Sequence, residues 1–350
     1  MQFLARMGHM KTPVSMKDIA SALHVSIVTV SKALAGKEGV SEKLRREIVQ
    51  EAERLGYRKN VAAADMRLGT SQNIGILTRE HRKAEHEVNQ TLLRGLIRNL
   101  SELNYYSIEE IVSKEMERTD ELPKLASANK VEGIILAGFF KPSYVQKLQK
   151  TGIPILAVDF FSATGDDDSI ICDNVYGSYL LTRHLVSLSH DKIIFVGNPL
   201  YDDNTMDRYL GYLKALKEQG LEEHPPLSDM DELGEEKDLS LVEDATAYVC
   251  SSSKTAYTLE KKIHAAGLSV PEDISVVCFD DDSYSQMASP SITAFHVNYG
   301  EMAYLASLTI VEKVAKKNHV GRKTISGKLV LRDSSGRPNN HIQAKITQLG

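Results

Sequence analysis

Between His24 and Gly36 lies a short segment whose residue types suit contact with a polyanion. Ser26 is a good N-cap for a helix over Ile27 to Leu34, because its hydroxyl can accept from the open amides of the first turn. On that helix Val30, Ala33 and Leu34 form an inner stripe, and Ile27, Val28, Thr29, Ser31 and Lys32 fall on the other side. The hydroxyls suit phosphate oxygens. Elsewhere the spacings that mark catalysis are missing: no G-x-G-x-x-G after a strand, no G-x-x-x-x-G-K-[ST], no H-E-x-x-H and no G-x-S-x-G. His81 and His86, five apart, read as solvated surface side chains. With no nucleophile–base pair and no metal-ligand cluster, no catalytic residue is expected, and no cofactor or metal is called for. Cys172, Cys250 and Cys278 sit singly in apolar strings, SIICDN, AYVCSS and SVVCFD, which reads as reduced thiols of a cytoplasmic protein.

The elements that must hold this segment are short helices. Ile19, Ala20 and Leu23 share one face of a helix beginning near Lys17, and His24-Val25-Ser26 breaks it. Ser41 caps a third helix with Leu44, Ile48, Ala52 and Leu55 on its inner face, and Gly56 ends it. This pattern fits a generic three-helix bundle. It also fits a helix-turn-helix, whose second helix presents its outward face to the DNA major groove. Charge favours the second: residues 1–70 carry a balance of +5 and the remaining 280 a balance of −10, a basic head on an acidic body. No apolar run approaches a membrane span, and Met1 to Lys17 lacks the apolar h-region of a secretory signal.

The string KDIASALHVSIVTVSKALAGKEGVSEKLRREIVQEAERLGYRKN resembles the DNA-binding headpiece of the LacI/GalR repressor family. It departs at His24, where the family has Gly in the turn. The resemblance implies that Ile27, Val28 and Lys32 read bases, with Ser26, Thr29 and Ser31 on phosphates. The chemistry agrees: Lys32 can donate to guanine O6 and N7, and the aliphatic pair can touch thymine methyl groups. Asn60 to Gly69 is alanine-rich, yet shorter than the roughly 12–15 residues an isolated helix needs in water. Composition alone predicts a frayed linker there. The resemblance implies a hinge helix formed on operator DNA, with Asn60 and Ala63 at the minor groove and Met66 as the wedge between base pairs. Ala64 and Asp65 replace a cation and a small polar residue of the family, which predicts a weaker grip on phosphates.

From Asn73 onward, apolar strings alternate with helical patterns: NIGIL, EGIILAG, IPILAV, KIIFVG, ATAYVC and ISVVCF. Such strands imply parallel sheets covered on both faces, in two lobes because one sheet cannot hold so long a chain. ICDNVYGSYLLTRHLVSLSHDKIIFVG, MDRYLGYLKAL and GLSVPEDISVVCFDD resemble the family's effector core. The expected architecture is an N-terminal all-α helix-turn-helix headpiece plus an α/β periplasmic-binding-protein-like core of two doubly wound parallel-sheet lobes. The headpiece spans 16–59 and the hinge 60–72. The first lobe holds 73–170 and 298–327, and the second 171–297 and 328–345, with KLVLRDS as a tail strand. The acidic stretch from Glu222 to Asp244 reads as a solvated loop.

The family's effector cleft maps onto Asp159, Arg208, Ser252 and Asp280, and two carboxylates around one guanidinium suit a polyhydroxylated ligand. The plain alternative is a salt bridge between lobes. His86-Glu87-Val88-Asn89, Ser252-Ser253 and Val297 depart from the family's polar positions. The resemblance therefore implies a homodimeric transcriptional regulator, with double-stranded operator DNA and a small, carbohydrate-like effector as partners and no membrane. A core that answers to a partner protein, and a solute-binding protein sharing only the core, are the rival readings.

Overall fold

Three helices form the N-terminal unit: α1 (Met16–Ala22), α2 (Ile27–Leu34) and α3 (Glu42–Leu55). Each start is capped by a serine region. Asp18 accepts from the Ser15 amide at 2.8 Å, Ser26 Oγ accepts from the Thr29 amide at 3.0 Å, and Ser41 Oγ accepts from the Leu44 amide at 3.4 Å. Ile19, Val30, Ala33, Ile48 and Ala52 make the core, with Leu23, Leu34, Leu44 and Leu55 packed around it. Among the described residues of this unit His24, Gly36, Gly39 and Gly56 have positive φ, and two of them turn the chain after α1 and α3. Gly56 (φ 70°) ends α3 while Tyr57 donates back to the Ala52 carbonyl at 2.8 Å. His24 (φ 52°) makes the corresponding turn after α1, and Val25 donates to the Ala20 carbonyl at 3.0 Å. The residue that replaces the family's Gly thus takes the glycine-like backbone conformation.

The computed structural model describes residues 14–57, 71–80, 86–128, 130–161, 168–228, 239–316 and 318–339, and separates the chain into units 1–70 and 71–350. The hinge assignments Asn60, Ala63 and Met66 lie outside the described residues.

The second unit holds two sheets. The first is built from β1 (Asn73–Arg79), β2 (Tyr106–Val112), β3 (Gly133–Ala137), β4 (Ile155–Val158), β5 (Ser169–Cys172) and β10 (Arg322–Ile325), in the order β10-β5-β4-β3-β1-β2, all parallel. The second is built from β6 (Ile193–Val196), β7 (Ala247–Cys250), β8 (Ser275–Phe279), β9 (Thr293–Val297) and β11 (Gly327–Val330), in the order β11-β9-β8-β7-β6. Helices α4 (His86–Glu102), α5 (Lys114–Thr119), α6 (Lys124–Ser127), α7 (Pro142–Gln149), α8 (Asn174–Ser187), α9 (Asp203–Glu218), α10 (Ser253–Ala265), α11 (Ser283–Met287) and α12 (Tyr299–Lys316) connect them. Continuous apolar strands sit at the centre because both faces are covered. Ile74 and Ile76 meet Leu92, Leu96 and Leu100 on one face of the first sheet, and Leu77 and Leu136 meet Leu125, Tyr144 and Leu148 on the other.

Four details differ from the sequence reading. The edge strands β2 and β10 carry Glu109, Glu110, Arg322 and Lys323, so no apolar run marked them. Strand β11 is antiparallel to β9. It leaves the first sheet through Ser326 alone, with no crossover helix to bring it back parallel. Strand β5 runs to Cys172 in the first sheet, beyond a division at 170. The acidic stretch is also more than a solvated loop. Leu227 bridges to Val196, Leu239 is buried in the second lobe's core, and the Val242 amide donates to Tyr248 Oη at 2.9 Å.

Candidate nucleic-acid interface and interlobe site

On α2 the inward residues Val30 and Ala33 are buried, while Ile27 is 49% and Val28 64% exposed. Both aliphatic side chains stand in water, which overturns a packing role for them. Ser31 and Lys32 are exposed beside them. Because i,i+4 and i,i+3 side chains are neighbours, Ile27–Ser31, Val28–Ser31 and Val28–Lys32 make one patch. Two devices fix its orientation. The Ser26 cap locks the first turn, and its Oγ also lies 2.8 Å from Thr29 Oγ1, so these hydroxyls are satisfied within the helix. At the other end the Arg45 guanidinium of α3 donates to the Ala33 carbonyl at 2.9 Å and the Lys37 carbonyl at 2.7 Å. The Ala33 carbonyl also accepts from the Gly36 amide, so Arg45 ties the end of α2 and the loop after it to α3. Arg45 went unread in the sequence, because its partners are backbone atoms 12 and 8 residues away.

In the second unit the residues assigned to an effector meet at the carboxyl ends of the strands. Asp159 follows β4 with φ 64°, and Asp280 follows β8 with φ 68°. Left-handed backbone is uncommon outside glycine, although Asp tolerates it better than most residues. Arg208, on the second turn of α9, is buried and bonded through Nε and Nη1. Its Nε donates to Asn174 Oδ1 at 2.8 Å and its Nη1 to the Ser251 carbonyl at 2.5 Å. Asp280 Oδ2 lies 3.6 Å from Nη1, and the Phe279 ring stacks 3.8 Å from the guanidinium carbon.

The network extends to both sheets. Tyr299 Oη, at the start of α12, donates to Asp280 Oδ1 at 2.7 Å. Asn174 Nδ2 donates to Asn204 Oδ1 at 2.9 Å, and Asn204 Nδ2 donates to the Asp159 carbonyl at 2.8 Å. The Cys172 thiol donates to Asn174 Oδ1 at 3.2 Å. A polar chain thus runs from the end of β4 in one sheet to the end of β8 in the other.

Its electrostatics follow from burial. Desolvation is the strongest single influence and works against the Arg208 charge, yet Asp280 and the neighbouring groups together outweigh it and hold the guanidinium protonated. Burial first, and then Asp280, push the Tyr299 phenol well above its ordinary range. Burial and Asp159 do the same to the Cys172 thiol. The site therefore combines one buried cation with neutral donors at Tyr299 and Cys172.

The ion pair Arg208–Asp280 lies within the second lobe, so it is not itself a bridge between lobes. The bridging falls to Asn204 on the Asp159 carbonyl and to Tyr299 on Asp280. Ser252 follows the Ser251 carbonyl that binds Arg208, but its own hydroxyl caps α10, accepting from the Thr255 amide at 3.1 Å. Asn174, Asn204, Ser251, Phe279 and Tyr299 were missed in the sequence. Their signal was positional: each stands beside a strand end or in the first turn of a helix. Among the described residues, no group of three His, Cys, Asp or Glu side chains is arranged to hold a metal. Among the same residues, no helix is long and apolar enough to cross a membrane.

One close approach sets the position of α9. A Cβ on Gly211 would sit 2.1 Å from the Val175 carbonyl oxygen of α8, so only glycine lets the two helices pack this tightly. Arg208 lies one turn earlier and reaches Asn174 at the start of α8 across that contact.

Comparison with known proteins agrees with this division. Residues 15–60 match the family described as bacterial regulatory proteins, lacI family, and residues 182–335 match the periplasmic binding protein-like domain. The chain is 26% identical to the HTH-type transcriptional regulator RegA of Clostridium saccharobutylicum, over 87% of this chain and 93% of that protein. It is 24% identical to the ribose operon repressor of Haemophilus influenzae, over 91% of this chain and 98% of that protein. Its fold is similar to the lac repressor dimer bound to operator and the anti-inducer ONPF. That match has a TM-score of 0.79 at 21% identity, and covers 93% of this chain and all of the other.

Proposed function

The chain belongs to the LacI/GalR family of transcriptional regulators, and on that premise we propose that it is a sequence-specific repressor whose core tunes operator affinity through the interlobe network. The observation that carries the reading is the exposed patch Ile27, Val28, Ser31 and Lys32 on a helix capped at one end and pinned at the other. Such a patch reads base edges, while Ser26 and Thr29 adjoin the phosphates. Two copies act on a pseudo-palindromic operator, since two-fold protein symmetry requires two-fold DNA. On this reading Asn60, Ala63 and Met66 meet the minor groove between the half-sites. DNA as the partner places the protein in the cytoplasm.

In the core, a small carbohydrate-like effector enters by exchanging its hydroxyls for bonds that Asp159, Arg208, Asp280 and the residues near Ser252 now make among themselves. That exchange changes how Asn204 and Tyr299 join the lobes. Operator affinity then shifts by the effector's differential affinity for the two arrangements, with typical couplings of about 1–3 kcal/mol. Selecting duplexes from a random library with the full chain tests the first half, and a pseudo-palindromic motif is the expected result. A thermal-shift panel of sugars, sugar acids and sugar phosphates tests the second. A ligand at 100 times its Kd stabilises the core by about 2.7 kcal/mol, and Asp159→Ala should remove that shift. If the library yields no motif, the DNA reading fails.

The bonds that protein groups already make to Arg208 and Asp280 support a second reading, in which a partner protein moves the lobes and no sugar enters. A panel in which nothing shifts the wild-type chain would favour it.

A further inference from the structure

We propose that each operator half-site presents thymine C5-methyl groups to Ile27 and Val28, beside the guanine taken by Lys32. The first turn of α2 then reads by apolar contact and not by hydrogen bonding. This rests on the DNA-binding reading above and names the base chemistry of that same face.

The first turn of α2 offers the groove little else. Ser26 and Thr29 hydroxyls are bonded to each other and to the Thr29 amide, so they are engaged within the helix. Ile27 and Val28 project into solvent on the face opposite Val30 and Ala33. Neither can donate or accept. In the major groove guanine, cytosine and adenine present hydrogen-bonding atoms with only small C–H edges beside them, and thymine alone adds a methyl group. Pressed against the other three, an aliphatic side chain strips water from a polar atom and gives nothing in return. Against thymine it buries a methyl. The pair therefore discriminates by rejection as well as by attraction.

Spacing sets the register. Val28 and Lys32 are four residues apart on one helical row, about 6 Å along the axis at 1.5 Å per residue. With base pairs about 3.4 Å apart, the thymine facing Val28 falls within about two steps of the guanine facing Lys32. Ser31, between the two rows, is free to bond either strand edge or a phosphate.

The test uses the full chain and the duplex enriched from the random library. Each thymine in turn is replaced by deoxyuridine, which keeps the pairing and removes only the C5-methyl, and binding is read by fluorescence anisotropy at fixed salt. At one or two positions per half-site the wild type should lose about fourfold in affinity, the worth of one buried methyl. Val28→Ala or Ile27→Ala should bind the thymine duplex more weakly and show no further loss at the matching deoxyuridine. Both substitutions are at exposed helical sites and should keep the fold, which circular dichroism is used to check. The inference is overturned if every deoxyuridine is tolerated by the wild type. It is equally overturned if the penalty persists in both variants, since the methyl then acts through DNA shape. Failure to enrich any duplex would overturn the DNA reading and this inference with it.

Discussion

The headpiece and the core keep their functional side chains in opposite states. On α2 the residues proposed to meet DNA are exposed, and the structure spends its hydrogen bonds on the scaffold behind them: a serine cap, an Arg45 clamp and a buried aliphatic core. In the core Arg208 and Asp280 are buried, Asp159 is partly so, and a chain of internal bonds already runs from the Asp159 carbonyl through Asn204, Asn174 and Arg208 to Asp280 and Tyr299. The first arrangement suits a rigid reader that binds without rearranging. The second suits a switch, because anything that enters must replace internal bonds, and replacing them alters what joins the lobes.

Substitutions that separate the two states should differ in size and in the region affected. The largest effect is expected at Arg208→Ala. It leaves Asp280 without its cation and removes the Arg208 hydrogen bonds to Asn174 and to the Ser251 carbonyl, in a buried site. Removing one partner of a buried pair costs about 3–5 kcal/mol, so the core's melting transition should fall steeply by calorimetry while the headpiece's helical signal persists. A core that melts normally would mean the network contributes little.

Gly211→Ala comes next. The added Cβ meets the Val175 carbonyl oxygen, so α8 and α9 must part, at about 1–3 kcal/mol by analogy with overpacked cores. Urea unfolding of the variant checks this. Lys32→Ala should leave stability unchanged and weaken specific binding by about 1–3 kcal/mol, relaxing preference at one base pair per half-site. Equal loss on specific and random duplexes would make Lys32 a phosphate contact. Ser26→Ala should cost about 1 kcal/mol of headpiece stability through the lost cap, read by thermal melting of the helical signal.

The smallest effect is on pH, and it belongs to the core. His190 is buried with Nε2 2.8 Å from the Gly336 carbonyl, and His184 is half-buried beside Ser335. Burial lowers the pKa of both. A lowered imidazole pKa means the unfolded chain binds the proton more readily. The core's stability is therefore full above the unfolded value, about 6.5, and declines as pH falls below it. Melting curves from pH 7.5 to 5 should show that decline, and His190→Asn should flatten it.

The sequence disclosed these regions unequally, for physical reasons. Headpiece structure is local: helical spacing, three caps and two positive-φ turns lie within a few residues of what they control. Asp159, Arg208 and Asp280 were found by their places after strands and in the MDRYLG string. Their pairing was not legible, because Arg208 reaches Asn174 and Ser251 across 34 and 43 residues. Ser252 showed its limits differently, since a helix cap and a ligand contact ask for the same hydroxyl. Edge strands β2 and β10 were hidden because one face or rim meets water and admits charge.

The most direct measurement is the affinity of the full chain for a selected duplex and for a shuffled duplex of the same composition, at one fixed salt concentration, with Lys32→Ala alongside. The expected ratio for the wild type is at least about a thousandfold, falling by roughly 5–150-fold in the variant, the equivalent of about 1–3 kcal/mol. Equal affinity for the two duplexes would contradict the assignment of α2 as a reader of sequence.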